Sequence, residues 1–280
     1  MKPPPHIQNR LRRIGMLTGE HIRLGETALF LATAVDKRAR IMPYIRHLKH
    51  LTSDVTSYLG RDLETADITL RAEALRQVLA KRYGYGPVPE DGADIREAAN
   101  FMRLIDTRAG TGAALAVLYV HVAQTLGWDV SAVNFPGRSL VRLEAGGIRG
   151  IFDPSDGFLL RAPQDLRRLL KEIVGEQAEL APGHYAKLDN RALLIRFQDR
   201  LKLYLLETER YFEAADIIDT TLLFAPLDAA LWREAGHLHA RLDNITAAVS
   251  ALENFMRLSE GSEKRYRTSL LLQELRARLH

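Results

Sequence analysis

One stretch, residues 108–153, constrains the fold of this 280-residue chain more than any other part of the sequence. Gly110 and Gly112 precede a run in which apolar residues recur at helical spacing, and Gly127 stands where a glycine often ends a helix. Two extended segments follow, joined by a Gly-Gly pair at 146–147 that indicates a hairpin turn. The stretch therefore predicts a glycine turn, a helix and two antiparallel strands. The helix is expected to bury one stripe, made of Leu115, Leu118, Tyr119, Val122 and Leu126.

The residues of this stretch also form a motif. Its members are Arg108, Gly110, Leu115, Leu118, Tyr119, Val122, Ala123, Leu126, Gly127, Val133, Phe135, Pro136, Gly137, Leu140, Val141, Arg142, Asp153 and Pro154. On these residues the chain resembles the SirB-type transglutaminase-like family, and the match runs from Arg108 to Gly127 without a gap. The resemblance implies a papain-like core with a small antiparallel sheet, preceded by helices and followed by tetratricopeptide repeats.

The resemblance also implies where a catalytic triad would stand. In cysteine enzymes of this kind a cysteine begins the helix, a histidine on the first strand is the base, and an aspartate on the second strand orients it. The cysteine position falls near Gly112, and the chain contains no cysteine. The histidine position holds Arg138, and Asp153 alone keeps its type. We therefore expect a pseudoenzyme without thiol chemistry.

Two other functions stay open for this region. Thr111 and Ser139 are hydroxyls close to the missing nucleophile, so a hydrolase or acyltransferase that uses a hydroxyl is one alternative. A hydroxyl is a weak nucleophile without a base, however, and the guanidinium of Arg138 stays protonated. A small-anion sensor is the other alternative, because the start of a helix attracts anions.

We name six residues the vestigial cleft: Arg108, Thr111, Gly112, Arg138, Ser139 and Asp153. Arg142 is close enough in sequence to join them. A structural interpretation has Asp153 pair with Arg138 or Arg142 and fix the two strands. A functional interpretation has the arginines converge on an anion. We favour the structural interpretation.

Neither a cofactor nor a metal is expected. His47 and His50 are three residues apart and could share a helical face, but no further ligand stands at a suggestive spacing. His121 lies beside the apolar stripe of the predicted helix, almost three turns or about 13 Å from Gly112. We interpret His121 as structural rather than as a substitute base.

The bulk composition narrows the classes of partner. The 39 Lys and Arg residues nearly balance the 35 Asp and Glu residues, so a net charge of +4 makes nucleic acid an improbable partner. No apolar run approaches the ~20 residues of a membrane span, and we expect no membrane partner. The lack of cysteine excludes disulfides and zinc–thiolate sites, and it fits a reducing, cytoplasmic location, which we expect.

The chain divides into three predicted regions. Residues 1–19 are proline-rich and basic, and we interpret them as a flexible tail. Residues 20–180 form the transglutaminase-like domain, with a helical part at 20–104 and a core at 105–175. A loop around Pro182-Gly183 separates it from a helical region, residues 190–280, that resembles tetratricopeptide repeats.

The helical region carries a repeat. Ala214 and Ala248 are 34 residues apart, which is the tetratricopeptide period. Small residues are favoured at these positions because paired helices pack closely. Two repeats are too few to be stable alone, so we expect them to pack on the preceding domain or on a closing helix, residues 266–279. Trp232, Gly236 and His239 are assigned to a repeat groove.

These patterns together predict an α+β fold that is predominantly helical, with a transglutaminase-like domain followed by helical hairpins. They favour a non-catalytic protein that binds a protein or peptide partner as a regulatory or scaffold module. The identity of the partner and the oligomeric state do not follow from the sequence.

Overall fold

The computed structural model describes residues 1–36, 38–89 and 94–278, with the backbone alone of Ser262. The chain divides into two compact units. We call Thr18–Arg200 the core unit, and Met1–Leu17 with Leu201–His280 the repeat unit. Helices dominate both units, and the core unit also contains a small antiparallel sheet. The predicted fold class, α+β and predominantly helical, is confirmed.

Several helices belong to the core unit, and all but the last of them precede its sheet. They are α2 (Leu24–Ala32), α3 (Ile41–Leu59), α4 (Ile68–Leu75), α5 (Ile95–Ala98), α6 (Phe101–Thr107), α7 (Gly112–Thr125) and α8 (Pro163–Val174). A π-helical segment, Arg76–Arg82, continues α4. Helix α9 (Asn190–Glu207) begins in the core unit and ends in the repeat unit. In the part of the chain that the structure describes, no helix is both long and apolar enough to cross a membrane.

Helix α7 is the centre of the core unit. The sequence predicts one buried stripe, but Val117 and Val120, which lie off that stripe, are fully buried as well. The reason is that α7 packs against α2, α3 and α6 as well as against the sheet. A helix covered on several sides is apolar around its circumference. The observed bounds, Gly112–Thr125, agree with the predicted helix.

The sheet consists of five antiparallel strands in the order β6-β5-β4-β3-β7. Their bounds are β3 Asp129–Val133, β4 Val141–Ala145, β5 Ile148–Asp153, β6 Leu159–Leu160 and β7 Lys187–Leu188. The predicted hairpin joins β4 to β5: Gly146 and Gly147 have φ values of +57° and +78°, as a two-residue turn with two left-handed residues requires. Two residues each from β1 (Gly86–Pro87) and β2 (Ala109–Gly110) form a separate parallel pair.

The register of β4 and β5 separates apolar from charged residues. Val141 pairs with Phe152, and both side chains are buried. The next pair, Arg142 with Ile151, lies on the opposite face, because successive side chains of a strand alternate. On that opposite face a second hydrophobic cluster forms between the sheet, α8 and the following loop. Its buried members are Val133, Phe135, Leu140, Leu166 and Leu170.

The prediction of a flexible tail at residues 1–19 is wrong. Helix α1 spans Pro5–Gly15 and buries Ile7 and Leu11 against α10 (Tyr211–Phe224) of the repeat unit. These residues and Gly15 are four apart and share one face, and a proline is well suited to the first turn of a helix. The prolines that suggested an extended tail therefore begin a packed helix.

The repeat unit is a series of antiparallel helices. They are α10 (Tyr211–Phe224), α11 (Ala229–Arg241), α12 (Ile245–Leu258) and α13 (Ser262–Ala277). Helix α13 stands where the closing helix is predicted, and Leu279 lies outside the described residues. The division between the units falls at Arg200, within α9, rather than in the loop near Pro182.

Helices α11 and α12 approach each other closely. Ala248 is fully buried, and a Cβ added at Gly236 would overlap the Leu252 side chain. The Trp232 indole donates a hydrogen bond to the carbonyl oxygen of Pro226, at 2.8 Å. The small residues of the repeat therefore have the packing role that the 34-residue period predicts.

Gly236→Ala should destabilise the protein by roughly 1–3 kcal/mol, because the new methyl group overpacks the contact with Leu252. The urea midpoint measures this. The control is the same change in a Leu252→Ala background. There it should be neutral or stabilising by up to about 1 kcal/mol, because alanine is the better helix former. An equal loss in both backgrounds would contradict the close approach.

Candidate functional site

Three segments of the core unit meet at the start of α7. The hydroxyl of Thr111 caps the helix by accepting a hydrogen bond from the amide of Ala114, at 3.3 Å. Gly112 is the first residue of the helix. A Cβ at this position would lie 2.9 Å from Ser155 Oγ and 4.0 Å from Ser139 Cβ. The loop before β4 and the turn after β5 therefore both reach the position of the missing nucleophile.

The direction of a side chain at position 112 is already occupied. A Cβ closer than about 3 Å to Ser155 Oγ forces one of the two groups to move. The hydroxyl of Ser155 thus takes up space that the thiol of a cysteine would need. Gly112 is the residue that fits the position as it stands.

Asp153 is the centre of an ion-pair network at the same place. Its side chain is 1% exposed and accepts hydrogen bonds from Arg138 Nε at 3.1 Å and from Arg161 Nη2 at 3.1 Å. The amide of Ser155 donates a third bond, at 2.9 Å. The ion pair predicted between Arg138 and Asp153 is present. Two guanidinium groups and an amide keep the buried carboxylate fully hydrogen-bonded.

Arg161 is the partner that the sequence does not predict. It follows β6, and its amide bonds the carbonyl oxygen of Ile151 at 2.7 Å, which brings it back beside the end of β5. Its guanidinium also bonds Asp156, at 2.6 Å. The available signal is the Asp-Pro-Ser-Asp sequence at 153–156, which indicates a turn and is followed by a glycine, three apolar residues and Arg161.

The arginines do not converge on one anion site. Arg142 bonds Glu144 at 2.7 Å and lies on the other face of the sheet. Arg108 has a left-handed backbone, φ +65°, at the end of α6. Its guanidinium bonds Tyr85 and the carbonyl oxygen of Ile105 and stacks over the Tyr85 ring, 5.0 Å from its centre. The anion-sensor alternative depends on arginines that point to one place, and Arg108 and Arg142 do not join Arg138 there.

Histidines do not replace the missing base. In the described part of the chain, none hydrogen-bonds Thr111, Ser139 or Ser155. His47 instead contacts Tyr85 Oη at 2.7 Å, and burial followed by the charge of Arg108 lowers its pKa. Among the described residues no group of three His, Asp, Glu or Cys side chains could hold a metal ion.

His121 belongs to α7 and lies where this helix faces α2. A Cβ on Gly25 would come within 2.7 Å of its ring, so glycine allows the two helices to meet there. Burial lowers the pKa of His121 to about 4. The imidazole is therefore neutral at pH 7, and its position supports the structural interpretation.

The residues assigned to the repeat groove need a correction. Trp232 and Gly236 serve helix packing, and His239 is buried with Nε2 2.9 Å from Asp219 Oδ1. An open surface of the repeat unit is a pocket of about 420 Å³ between α9 and α11, which we call the repeat pocket. Its lining residues are Lys202, Leu203, Leu206, Ile218, Arg233, Glu234, His237, Leu238 and Arg241. The repeat motif identifies the positions where small residues pack between helices. It does not identify the residues on the opposite helix face.

Most of the charge in the repeat pocket is positive. Lys202 bonds the one carboxylate of the lining, that of Glu234, at 2.6 Å. Arg241 stacks over the ring of Tyr211, 3.9 Å from its centre. No ion pair joins Arg233 to another described residue. Burial and the charge of Arg233 lower the pKa of His237, so this imidazole is neutral at pH 7.

Comparisons with known proteins agree with the two-part organisation. Residues 43–199 match the transglutaminase-like superfamily, and residues 201–273 match the tetratricopeptide repeat. The UPF0162 protein of Vibrio cholerae is 28% identical over 207 residues, which cover 71% of this chain and 76% of that protein. The UPF0162 protein of Pseudomonas aeruginosa is 24% identical over 260 residues, which cover 92% and 93%.

Asp153→Ala should destabilise the protein by about 2–3 kcal/mol, because it leaves two guanidinium groups without their shared carboxylate. This is below the range for fully buried pairs, since Arg138 is 39% exposed and water screens its charge. Asp156→Ala is the matched control, because it removes an exposed carboxylate from the same Arg161. Equal urea midpoints for the two variants would contradict a central role of Asp153.

His121 should make the protein sensitive to acid. Its pKa is about 4 in the folded state and about 6.5 unfolded, so the unfolded chain binds more protons between these values. Above pH 6.5, His121 should not lower the free energy of unfolding. As the pH is lowered toward 4, the free energy of unfolding should fall by up to roughly 3 kcal/mol. His121→Gln should flatten this dependence, and His50→Gln, at an exposed histidine, should not. Parallel pH curves for wild type and His121→Gln would show the assignment to be wrong.

Proposed function

Because this chain belongs to the transglutaminase-like superfamily and yet holds Gly112 and Arg138 at the positions of nucleophile and base, we propose that it is a non-catalytic binding module. Its partner would be a protein, recognised through a peptide segment. The resemblance found in the sequence is confirmed by the two family matches. The activity of the superfamily, however, needs groups that this chain lacks.

The vestigial cleft supports the non-catalytic part of the proposal. The carboxylate that would orient a histidine is bonded to Arg138 and Arg161, and a guanidinium cannot accept a proton at neutral pH. Ser155 occupies the space beside Gly112. A hydroxyl at Thr111 serves instead as a helix cap. Asp153, Arg138 and the Thr111 hydroxyl therefore each have a structural partner rather than a catalytic one.

The observation that carries the binding part is the repeat pocket. Tetratricopeptide helices in general form surfaces for other proteins. Here the pocket combines a basic residue without a described ion-pair partner, Arg233, with an apolar side chain that is 47% exposed, Leu203. Exposed leucine beside arginine is suited to a peptide that has both apolar and acidic side chains.

The remaining parts of the proposal concern where and with what the protein acts. We propose a cytoplasmic location, because a chain without cysteine is suited to a reducing compartment. Nucleic acid is not the proposed partner, since positive and negative residues nearly balance. The apolar share of the repeat pocket also favours a peptide over a phosphate backbone.

The test uses the full chain as bait and identifies the bound proteins by mass spectrometry. Calorimetry then measures the binding of the purified partner. Arg233→Glu should weaken binding by about tenfold or more, because it turns attraction of an acidic segment into repulsion. Arg257→Glu, the same charge change at an exposed position on α12, should leave binding unchanged. Equal binding by both variants would contradict the repeat pocket as the binding site.

Catalysis by a hydroxyl is the alternative that the same protein can test. Turnover of acyl donors or peptides that disappears in Thr111→Ala or Ser139→Ala would overturn the non-catalytic part of the proposal. We expect no turnover that depends on either residue.

A further inference from the structure

A second cleft lies on the outer face of the sheet in the core unit, opposite α7. We call it the sheet cleft. Its floor includes Arg142, Arg149 and Ile151, and its walls come from 160–163 at the start of α8 and 180–186 in the following loop. Its volume of about 930 Å³ is that of a small-molecule site.

We propose that the sheet cleft binds a small amphipathic carboxylate, an acid with an aromatic or alkyl body. The proposal is independent of the repeat pocket, and it shares Arg161 with the ion-pair network of Asp153. It rests on the charges of the lining, on hydrogen-bond donors without acceptors, and on the apolar walls.

The charges of the lining are all positive. Arg142, Arg149 and Arg161 line the cleft, and no acidic side chain does so among the described residues. Arg149 is exposed and forms no ion pair with any residue that the structure describes. Arg142 has to share Glu144 with Lys187, whose Nζ lies 2.9 Å from the same oxygen. Arg161 is itself paired with Asp153 and Asp156, so Arg149 is the lining charge that is left to attract an anion.

Two buried donors in the lining lack acceptors. The Nε atoms of Arg142 and Arg161 are buried and have no hydrogen-bond partner within the described part of the chain. A buried donor without an acceptor is unfavourable, and guanidinium groups bind carboxylates with good geometry. Each Nε is closed to solvent, so a ligand carboxylate would satisfy it after the guanidinium group turns toward the cleft.

The walls supply the apolar part of the site. Ile151, Leu166 and Leu180 line it, together with the ring of Tyr185. Leu160, at its edge, is 62% exposed although it is large and apolar. Exposed apolar surface beside a concave site is typical of ligand binding. Three arginines next to these side chains match a molecule with one charged end and one apolar end.

The test titrates the full-length protein with naphthylacetate and, as the matched uncharged probe, naphthylacetamide. Calorimetry should show binding of the acid and at least about tenfold weaker binding of the amide, which loses the charge-assisted hydrogen bonds. Equal binding of the two, or no binding of the acid at millimolar concentration, would overturn the proposal.

Two pairs of variants place the ligand. Arg149→Gln and Leu160→Ala, both at exposed side chains, should each weaken binding of naphthylacetate by several-fold to about tenfold. The controls are Arg167→Gln on the exposed face of α8 and Leu159→Ala next to Leu160, neither of which lines the cleft. Binding that tolerates both Arg149→Gln and Leu160→Ala would overturn the proposal, provided that the variants keep the wild-type urea midpoint.

Further measurements separate this site from the other proposals. Arg233→Glu in the repeat pocket should leave naphthylacetate binding unchanged, so failure of one proposal does not decide the other. If an acidic peptide occupied the sheet cleft while naphthylacetate did not bind, the small-ligand proposal would be overturned in favour of peptide docking.

Discussion

The buried carboxylate of Asp153 is the interaction on which the organisation of the core unit depends. A buried charge has to be neutralised, and here one carboxylate joins the loop before β4, the end of β5 and the segment after β6. In a cysteine enzyme the same carboxylate would orient a histidine that is charged only during part of the reaction. Arg138 is charged permanently. With arginine at the position of that histidine, the contact to Asp153 is a permanent ion pair.

The residues at the positions of nucleophile and base, Gly112 and Arg138, are linked through Ser155 and Asp153. Without a side chain at position 112, Ser155 can lie against the start of α7, and its amide can bond Asp153 at the same time. A cysteine would need the Ser155 hydroxyl to turn away from the start of α7. A histidine at 138 would leave Asp153 with Arg161 as its remaining guanidinium partner. Restoring one catalytic residue alone would therefore disturb the structural network without completing a triad.

The parts of the fold that the sequence predicts are those with a local signal. Helix α7 has glycines at both ends and apolar residues at helical spacing, and the Gly-Gly turn at 146–147 fixes the hairpin register. The features that the sequence does not predict depend on contacts with residues far away in the chain. Helix α1 is stable because it packs on α10, more than 190 residues later in the chain. The role of Arg161 depends on a turn that returns the chain to Asp153. The repeat pocket was missed because repeat motifs record packing positions, whereas a binding surface uses the helix face that the motif leaves free.

The same register that builds the core also places the charges of the sheet cleft. Val141 and Leu143 have to face α7, so Arg142 between them has to face the other side. A slip of one residue would bury Arg142 in the apolar core, which is strongly unfavourable. Arg142 belongs to the sequence motif of the transglutaminase-like family. Because side chains alternate along the strand, it nevertheless lies on the surface opposite α7. There it lies beside Ile151 and near Arg149, in a cleft whose lining is connected to Asp153 through Arg161. Any ligand chemistry that this domain retains is therefore expected on the outer face of the sheet rather than at the start of α7.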